Sequence, residues 1–291
     1  MHAGHSNRYQ IRVAACRSDL ERAQALRYRA FFENRPGTCP RPDRLDHDEF
    51  DPACHHVLIE EEASGDLVCC FRLLPLRDGG EIERSYTAQF YDLSALHAYC
   101  DPMLELGRFC IRPGWRDPAI MRLAWAALAR LVDETGARML FGCSSFTGAA
   151  PEPHSPALAL LASRHLAPRR WQPRIKAPQV MTLAEMLPAH DLDDRRALAA
   201  LPTLLRGYLA LGAWVSDHAV LDQELDTLHV FTGLEISRVP PLKARRLRAS
   251  ANAAMADKPV LARSLTARTA PCRAYASPAK PRAGPAPRGV R

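Results

Sequence analysis

The chain has 291 residues, 47% of them hydrophobic, which is enough for a sizeable core, and no apolar run approaches the ~20 residues of a membrane span. We therefore expect a cytosolic protein without a cleaved leader, and nine cysteines with no C-x-x-C pair argue against a disulfide scaffold or a zinc site. The net charge of +7 is unevenly held: residues 239–291 carry twelve Lys or Arg against one acid, whereas the first 238 carry 27 basic and 31 acidic groups.

In chain order, residues 10–16 alternate enough for a first strand. Ser18-Asp19-Leu20-Glu21 has capping-box spacing, and a helix should follow to about residue 33 with Leu20, Ala23, Leu26 and Ala30 on its buried side. Arg27 and Phe31, four apart, share one face of that helix. Residues 35–51 read as a loop ending in Asp46-His47-Asp48-Glu49-Phe50-Asp51. Residues 56–60 and 67–74 form a hairpin around Ser64-Gly65-Asp66, and 78–100 are irregular around the apolar island Phe90-Tyr91-Asp92-Leu93.

Leu104-Glu105-Leu106-Gly107-Arg108-Phe109-Cys110-Ile111 predicts a strand with an anomaly. An acid and a base three apart on a regular strand face opposite sides of the sheet. One bulged residue at Gly107 would swing Glu105 and Arg108 to one side and leave a backbone amide unpaired. Asp117-Pro118 then caps a helix with Ile120, Leu123, Ala124, Ala127, Leu128 and Leu131 at helical spacing, stopped by Gly136. Residues 139–143 are a short buried strand, parallel to the one before the helix in the simplest topology.

A Pro-rich, basic stretch at 147–178 surrounds a short helix near 156–165, and a second amphipathic helix spans 201–212. Residues 214–222 and 227–232 close the fold as strands. Residues 239–291 have no sustained apolar period, so 1–238 read as one domain and 239–291 as a disordered basic tail. The order is α+β, a mixed central sheet flanked by helices, and fits N-acyltransferase-like (GNAT-type) folds.

Four separated motifs then resemble acyl-homoserine-lactone synthases: Arg27-x-x-x-Phe31, Asp48-x-x-Asp51, Phe71-Arg72-Leu73-Leu74-Pro75 and Glu105-x-x-Arg108. Other stretches are closer to a sister family, the bacterial L-ornithine N-alpha-acyltransferases of ornithine lipid biosynthesis. These are Asp48-Glu49-Phe50-Asp51, Leu104-Glu105-Leu106-Gly107-Arg108, Leu140-Phe141-Gly142-Cys143-Ser144-Ser145-Phe146 and Leu201-Pro202-x-x-Leu205-x-Gly207-Tyr208-Leu209-x-Leu211-Gly212-Ala213. The resemblance spans about residues 10–235, with Arg206 standing where that family typically has Lys. It implies transfer of a (3-hydroxy)acyl chain from acyl carrier protein to the α-amino group of L-ornithine, giving lyso-ornithine lipid. Acyl carrier protein is then a co-substrate, with no cofactor and no metal. The rival enzyme is a lactone synthase with S-adenosylmethionine as acceptor. A rival of another class is a catalytically silent fold with a basic arm.

Aminolysis of a thioester needs a base for the amine proton and donors for the oxyanion. Glu105 is the first choice for the base, the alternative being a sheet-bracing pair with Arg108 or Arg72. A backbone amide freed at the bulge suits the oxyanion. Cys143, in an apolar strand, and Ser144 and Ser145, outside any G-x-S-x-G elbow, make poor nucleophiles. Arg72, Arg108 and Arg27 are candidate forks for the ornithine carboxylate. Asp48, Asp51, Asp217 and Asp222 are unranked candidates for its side-chain ammonium. Arg27 and Phe31 serve equally well as the docking face of their helix. Arg169, Arg170, Arg174 and Lys176, around Trp171, make a basic patch for the acidic carrier, a solvated charge run being the plainer alternative. Residues 243–291 suit weak, salt-sensitive contact with anionic lipid at the inner face of the membrane, and no specific nucleic acid is expected.

Overall fold

The computed structural model describes residues 8–33, 41–187 and 193–255. The chain opens with β1 (Tyr9–Val13) and α1 (Arg17–Phe31), followed by the hairpin of β2 (His55–Glu61) and β3 (Leu67–Leu76). Short 3-10 turns and β4 (Tyr91–Asp92) fill the irregular stretch before β5 (Met103–Ile111). Then come α2 (Pro118–Thr135), β6 (Met139–Thr147), α3 (Ser155–Arg164), β7 (Arg174–Ile175) and β8 (Val180–Thr182). Helices α4 (Asp194–Ala200) and α5 (Thr203–Ala210) precede β9 (Trp214–Asp222), β10 (Thr227–Glu235) and α6 (Pro241–Met255).

Eight strands form one mixed sheet in the order β1-β2-β3-β5-β6-β10-β9-β8. Among the described strands only β5 and β6 pair in parallel, joined by α2 as the predicted crossover. The alternation of side chains fixes the layers. Val57, Ile59, Phe71, Leu73, Leu104 and Leu106 pack under α2, while Leu58, Cys70 and Cys110 pack under α1 with Ala23 and Leu26.

Helix α2 is closed as its sequence dictates: Asp117 accepts the Ala119 N–H at 2.8 Å, and Gly136 ends it at φ +68°, where a Cβ is unfavourable. The capping box predicted for α1 does not form. Cys16 is the N-cap without a side-chain bond, and Asp19 is drawn instead to Arg12 and to the Ala15 N–H.

The chain beyond residue 238 corrects the prediction of a wholly disordered tail. Residues 241–255 form α6, which lays Leu247, Ala251 and Ala254 against the α2 core, while Arg248 pairs with Asp133 at 2.7 Å. Alanine's helix propensity and this spacing of four and then three residues suffice without a conspicuous apolar period. The tail from residue 256 lies outside the described residues. Among the described residues no helix is long and apolar enough to cross a membrane.

Candidate active site

The parallel ladder between β5 and β6 pairs only Met103–Glu105 with Met139–Phe141. Past that point the strands diverge, and a cavity of about 230 Å³ opens between them. Residues 106–109 of β5 and 142–147 of β6 face each other across it, with Leu204, Leu205 and Tyr208 of α5 as an apolar wall. Gly142 sits at the vertex, where an added Cβ would lie 2.3 Å from the Leu106 carbonyl oxygen. Gly142→Ala must therefore push the strands apart. We expect a loss of about 1–3 kcal/mol in denaturant unfolding, as for overpacked cores, with turnover reduced in parallel.

A bulge shapes the β5 side. Against β3, Cys70 faces Cys110 but Arg72 faces Gly107, so Arg108 and Phe109 together oppose Phe71. The irregularity predicted at Gly107 thus falls one residue later: Arg108 takes the left-handed backbone at φ +52°. Glu105 and Arg108 accordingly border the same cavity, as the bulge argument required.

Glu105 is buried, 4% exposed, and its two oxygens accept three hydrogen bonds. The donors are the Tyr86 N–H at 3.0 Å, the Thr87 N–H at 2.7 Å and the Thr87 hydroxyl at 2.5 Å. The sheet-bracing alternative is corrected here, because among the described residues Glu105 makes no ion pair with Arg72 or Arg108; it caps the turn at Thr87–Gln89 instead. Burial raises its carboxyl above the ordinary value of 4.5, against the pull of those hydrogen bonds.

The remaining charges assemble into a buried network. Arg27 gives Nε to Asp46 at 2.8 Å, Nη1 to Asp51 at 2.8 Å, and Nη2 to the Asp46 carbonyl. Arg72 binds Asp48 and Asp51, and Arg108 reaches Asp48 at 3.2 Å and approaches Asp46 at 3.1 Å. Three arginines balance three aspartates. Burial pushes the Asp51 carboxyl up, but Arg27 and Arg72 outweigh it and hold it below its ordinary 3.8.

This network corrects several substrate-binding assignments. Arg27 is 1% exposed and spends its donors internally, so it cannot fork a ligand carboxylate; Asp48 and Asp51 are likewise spent on arginines. Arg72 borders the cavity with both terminal nitrogens committed to aspartates. Phe31, one turn beyond Arg27, does border it. Arg108 is the most available guanidinium: its Nη1 donates only to the Tyr86 hydroxyl, at 3.3 Å, and its plane lies 4.8 Å from that ring. Asp217 is half exposed, off the cavity, and paired with His218, whereas Asp222 borders the cavity.

Cys143 borders the cavity too, but burial drives its thiol far above the ordinary 9.0, so no thiolate is at hand there. Ser144 is buried and accepts the Thr232 hydroxyl at 2.8 Å. In the basic patch Arg170 is tied to Glu235 at 3.0 Å and Lys176 to the Ala88 carbonyl at 2.6 Å, while Arg169 and Arg174 stay exposed. Sequence reasoning passed over Tyr86, Thr87, Thr227 and His229, all of which border the cavity. Their only signal was the alternation of Thr227 and His229 on a closing strand.

The solved structure of a CoA-dependent acyl-homoserine lactone synthase, BjaI, with MTA aligns at a TM-score of 0.45 and 15% identity, covering 84% of this chain and 90% of that one. A family model for the Acetyltransferase (GNAT) domain matches residues 26–126. The chain is 38% identical over 230 residues to an L-ornithine N(alpha)-acyltransferase of Rhodobacter capsulatus, covering 76% of this chain and 88% of that protein. For an L-ornithine N(alpha)-acyltransferase of Brucella abortus the identity is 31% over 246 residues, with 81% and 87% covered. With its GNAT-like sheet and a relative this similar along most of its length, the chain is an N-acyltransferase and belongs to the L-ornithine N(alpha)-acyltransferase family.

Proposed function

We propose that this enzyme transfers a 3-hydroxyacyl chain from acyl carrier protein to the α-amino group of L-ornithine, forming lyso-ornithine lipid for a second acylation. The observation that carries this reading is the cleft between the diverging halves of β5 and β6, with Glu105 at its closed end and Arg108 at its side. Strand edges beyond the end of a ladder suit the amides of a pantetheine arm, and the apolar wall of α5 suits an acyl chain. Arg108, through the Nη1 that meets only the Tyr86 hydroxyl, is the contact for the ornithine carboxylate.

Glu105, held poorly solvated, is the base. The amine nitrogen attacks the thioester carbonyl and its proton passes to Glu105; the carbon–sulfur bond breaks and the carrier sulfur leaves as a thiol after taking a proton. Backbone amides withdrawn from the ladder at Arg108 and Phe109 are the oxyanion donors. No covalent enzyme intermediate and no cofactor enter this scheme.

The acidic carrier docks on the basic patch, where Ile175 is 57% exposed between Arg174 and Lys176. Arg169→Glu with Arg174→Glu is expected to raise KM for the acyl carrier protein about 10-fold at low salt, with the difference shrinking at high salt, and to leave kcat near wild type. Steady-state kinetics across an ionic-strength series checks this. The basic residues from 243 onward, with Leu242 exposed at the start of α6, are the surface for peripheral contact with anionic lipid. Since α6 is packed on α2, the deletion that tests the tail starts after Met255.

The activity is tested by expression in a host lacking ornithine lipids, together with a second-step acyltransferase. New ornithine-containing lipids by mass spectrometry are the expected result. Soluble, folded protein that yields none of them, with acyl-homoserine lactones in their place, would overturn it.

A further inference from the structure

On the β9–β10 side of the cleft, buried polar atoms stand without partners. Thr227 and His229 lie two apart on β10, so their Cα atoms are roughly 7 Å apart along the strand and both side chains leave one face of it. Asp222 of β9 is the direct cross-strand neighbour of Thr227, and all three border the cavity. Thr227 is 7% exposed and His229 3%, yet Thr227 Oγ1 and His229 Nε2 have no hydrogen-bond partner among the described residues. Unpaired polar atoms in the interior destabilise a fold, and they persist where a ligand completes them.

The tautomer of His229 is assigned from its neighbours. The Tyr91 hydroxyl donates to the His229 carbonyl at 2.9 Å, so its remaining role toward Nδ1, 3.2 Å away, is that of acceptor. On this pairing we assign the proton to Nδ1 and the lone pair to Nε2. Burial, aided by His218, brings the ring to about 4, so it is neutral near pH 7. Phe90 and Tyr91 hold the ring edge-on, with centroids at 5.0 and 5.7 Å. Asp222 accepts the Leu225 N–H on one oxygen, Oδ1, at 3.1 Å, and its charge is felt by Tyr86 and Cys143 in the same cleft.

We propose that Asp222, Thr227 Oγ1 and His229 Nε2 form a three-acceptor subsite for the side-chain ammonium of the amino-acid acceptor. An alkylammonium has three N–H donors and one positive charge; the subsite offers three acceptors and one negative charge. Of the four acids left open by the sequence, Asp222 is the one that borders the cavity. The subsite rests on the ornithine acceptor proposed above and assigns the residues that recognise it.

The test compares kcat/KM for L-ornithine with that for L-norvaline, the same amino acid without its side-chain amine, at saturating acyl carrier thioester. The ornithine-to-norvaline ratio is taken within each variant, so a loss of folded enzyme cancels. Wild type should prefer ornithine by about 100-fold or more. Asp222→Asn should abolish most of that ratio, and Thr227→Val and His229→Phe should each cut it about 10-fold. His229→Gln, whose amide oxygen reaches the position of Nε2, should recover part of it. Variants that all keep the wild-type ratio overturn the subsite. Wild type that acylates neither amino acid overturns the ornithine reading beneath it.

Discussion

Glu105→Gln is expected to lower kcat by about 10²–10⁴-fold, the usual contribution of a general base. The amide cannot take a proton from the amine. It also cannot satisfy its surroundings: both Glu105 oxygens face donors, at Tyr86 N–H and at Thr87, and a Gln must turn its own NH2 toward one of them. A modest drop in melting temperature should accompany the kinetic loss. Because burial raises the carboxyl above 4.5, the acid limb of the wild-type kcat/KM profile should lie above that value and vanish in the variant. The stability linkage has the matching sign. Folding favours protonated Glu105, so its contribution is largest at low pH and is lost as pH rises through the folded value. Single-turnover amide formation followed against pH checks the kinetic effect. Near-normal turnover would reduce Glu105 to the cap of the turn at residues 87–89.

Arg27→Met should be the most destabilising single change outside the cleft, at about 3–5 kcal/mol by denaturant unfolding. Met keeps the length and apolar volume of the side chain, but it leaves Asp46, fully buried, and Asp51, 3% exposed, one buried cation short, with Arg108 and Arg72 still beside them. The sign with pH follows from Asp51, whose carboxyl the arginines hold below 3.8. That stabilisation is present above 3.8 and fades as pH falls through the folded value. The gap between wild type and variant should therefore narrow below about pH 4, as Asp51, one cation short in the variant, takes up a proton. A deficit that is small and independent of pH would mean that the network is better solvated than its burial implies.

These two residues also show how far local sequence reaches. The capped helix α2, the hairpin of β2 and β3, and the strand around Glu105 were legible because each carries its own signal in period and punctuation. The convergence of Glu105 and Arg108 was legible because their spacing contradicts a regular strand. Which residue would take the left-handed backbone was not. Local propensity favours glycine, but Arg108 is positioned by Asp46, Asp48 and Tyr86, all distant in sequence. The same limit applied to the charges. The sequence lists arginines and aspartates as equals; only the fold shows that Arg27, Arg72 and Arg108 neutralise Asp46, Asp48 and Asp51, with the Nη1 of Arg108 turned to a neutral partner, the Tyr86 hydroxyl. Thr87 escaped notice because its role depends on a distant turn folding back onto Glu105, and His229 because its role depends on neighbours across the sheet. Helix α6 escaped because its contact with α2 needs only one leucine and two alanines, Leu247, Ala251 and Ala254.

The most direct measurement supplies the purified protein with 3-hydroxyacyl carrier protein and equimolar L-ornithine and S-adenosylmethionine, with products resolved by mass spectrometry. Nα-(3-hydroxyacyl)ornithine should accumulate in step with free carrier thiol, and no lactone should form. Acyl-homoserine lactone, or acylation on the ornithine side-chain nitrogen, would contradict an acceptor held by Arg108 at its carboxylate and deprotonated at its α-amine by Glu105.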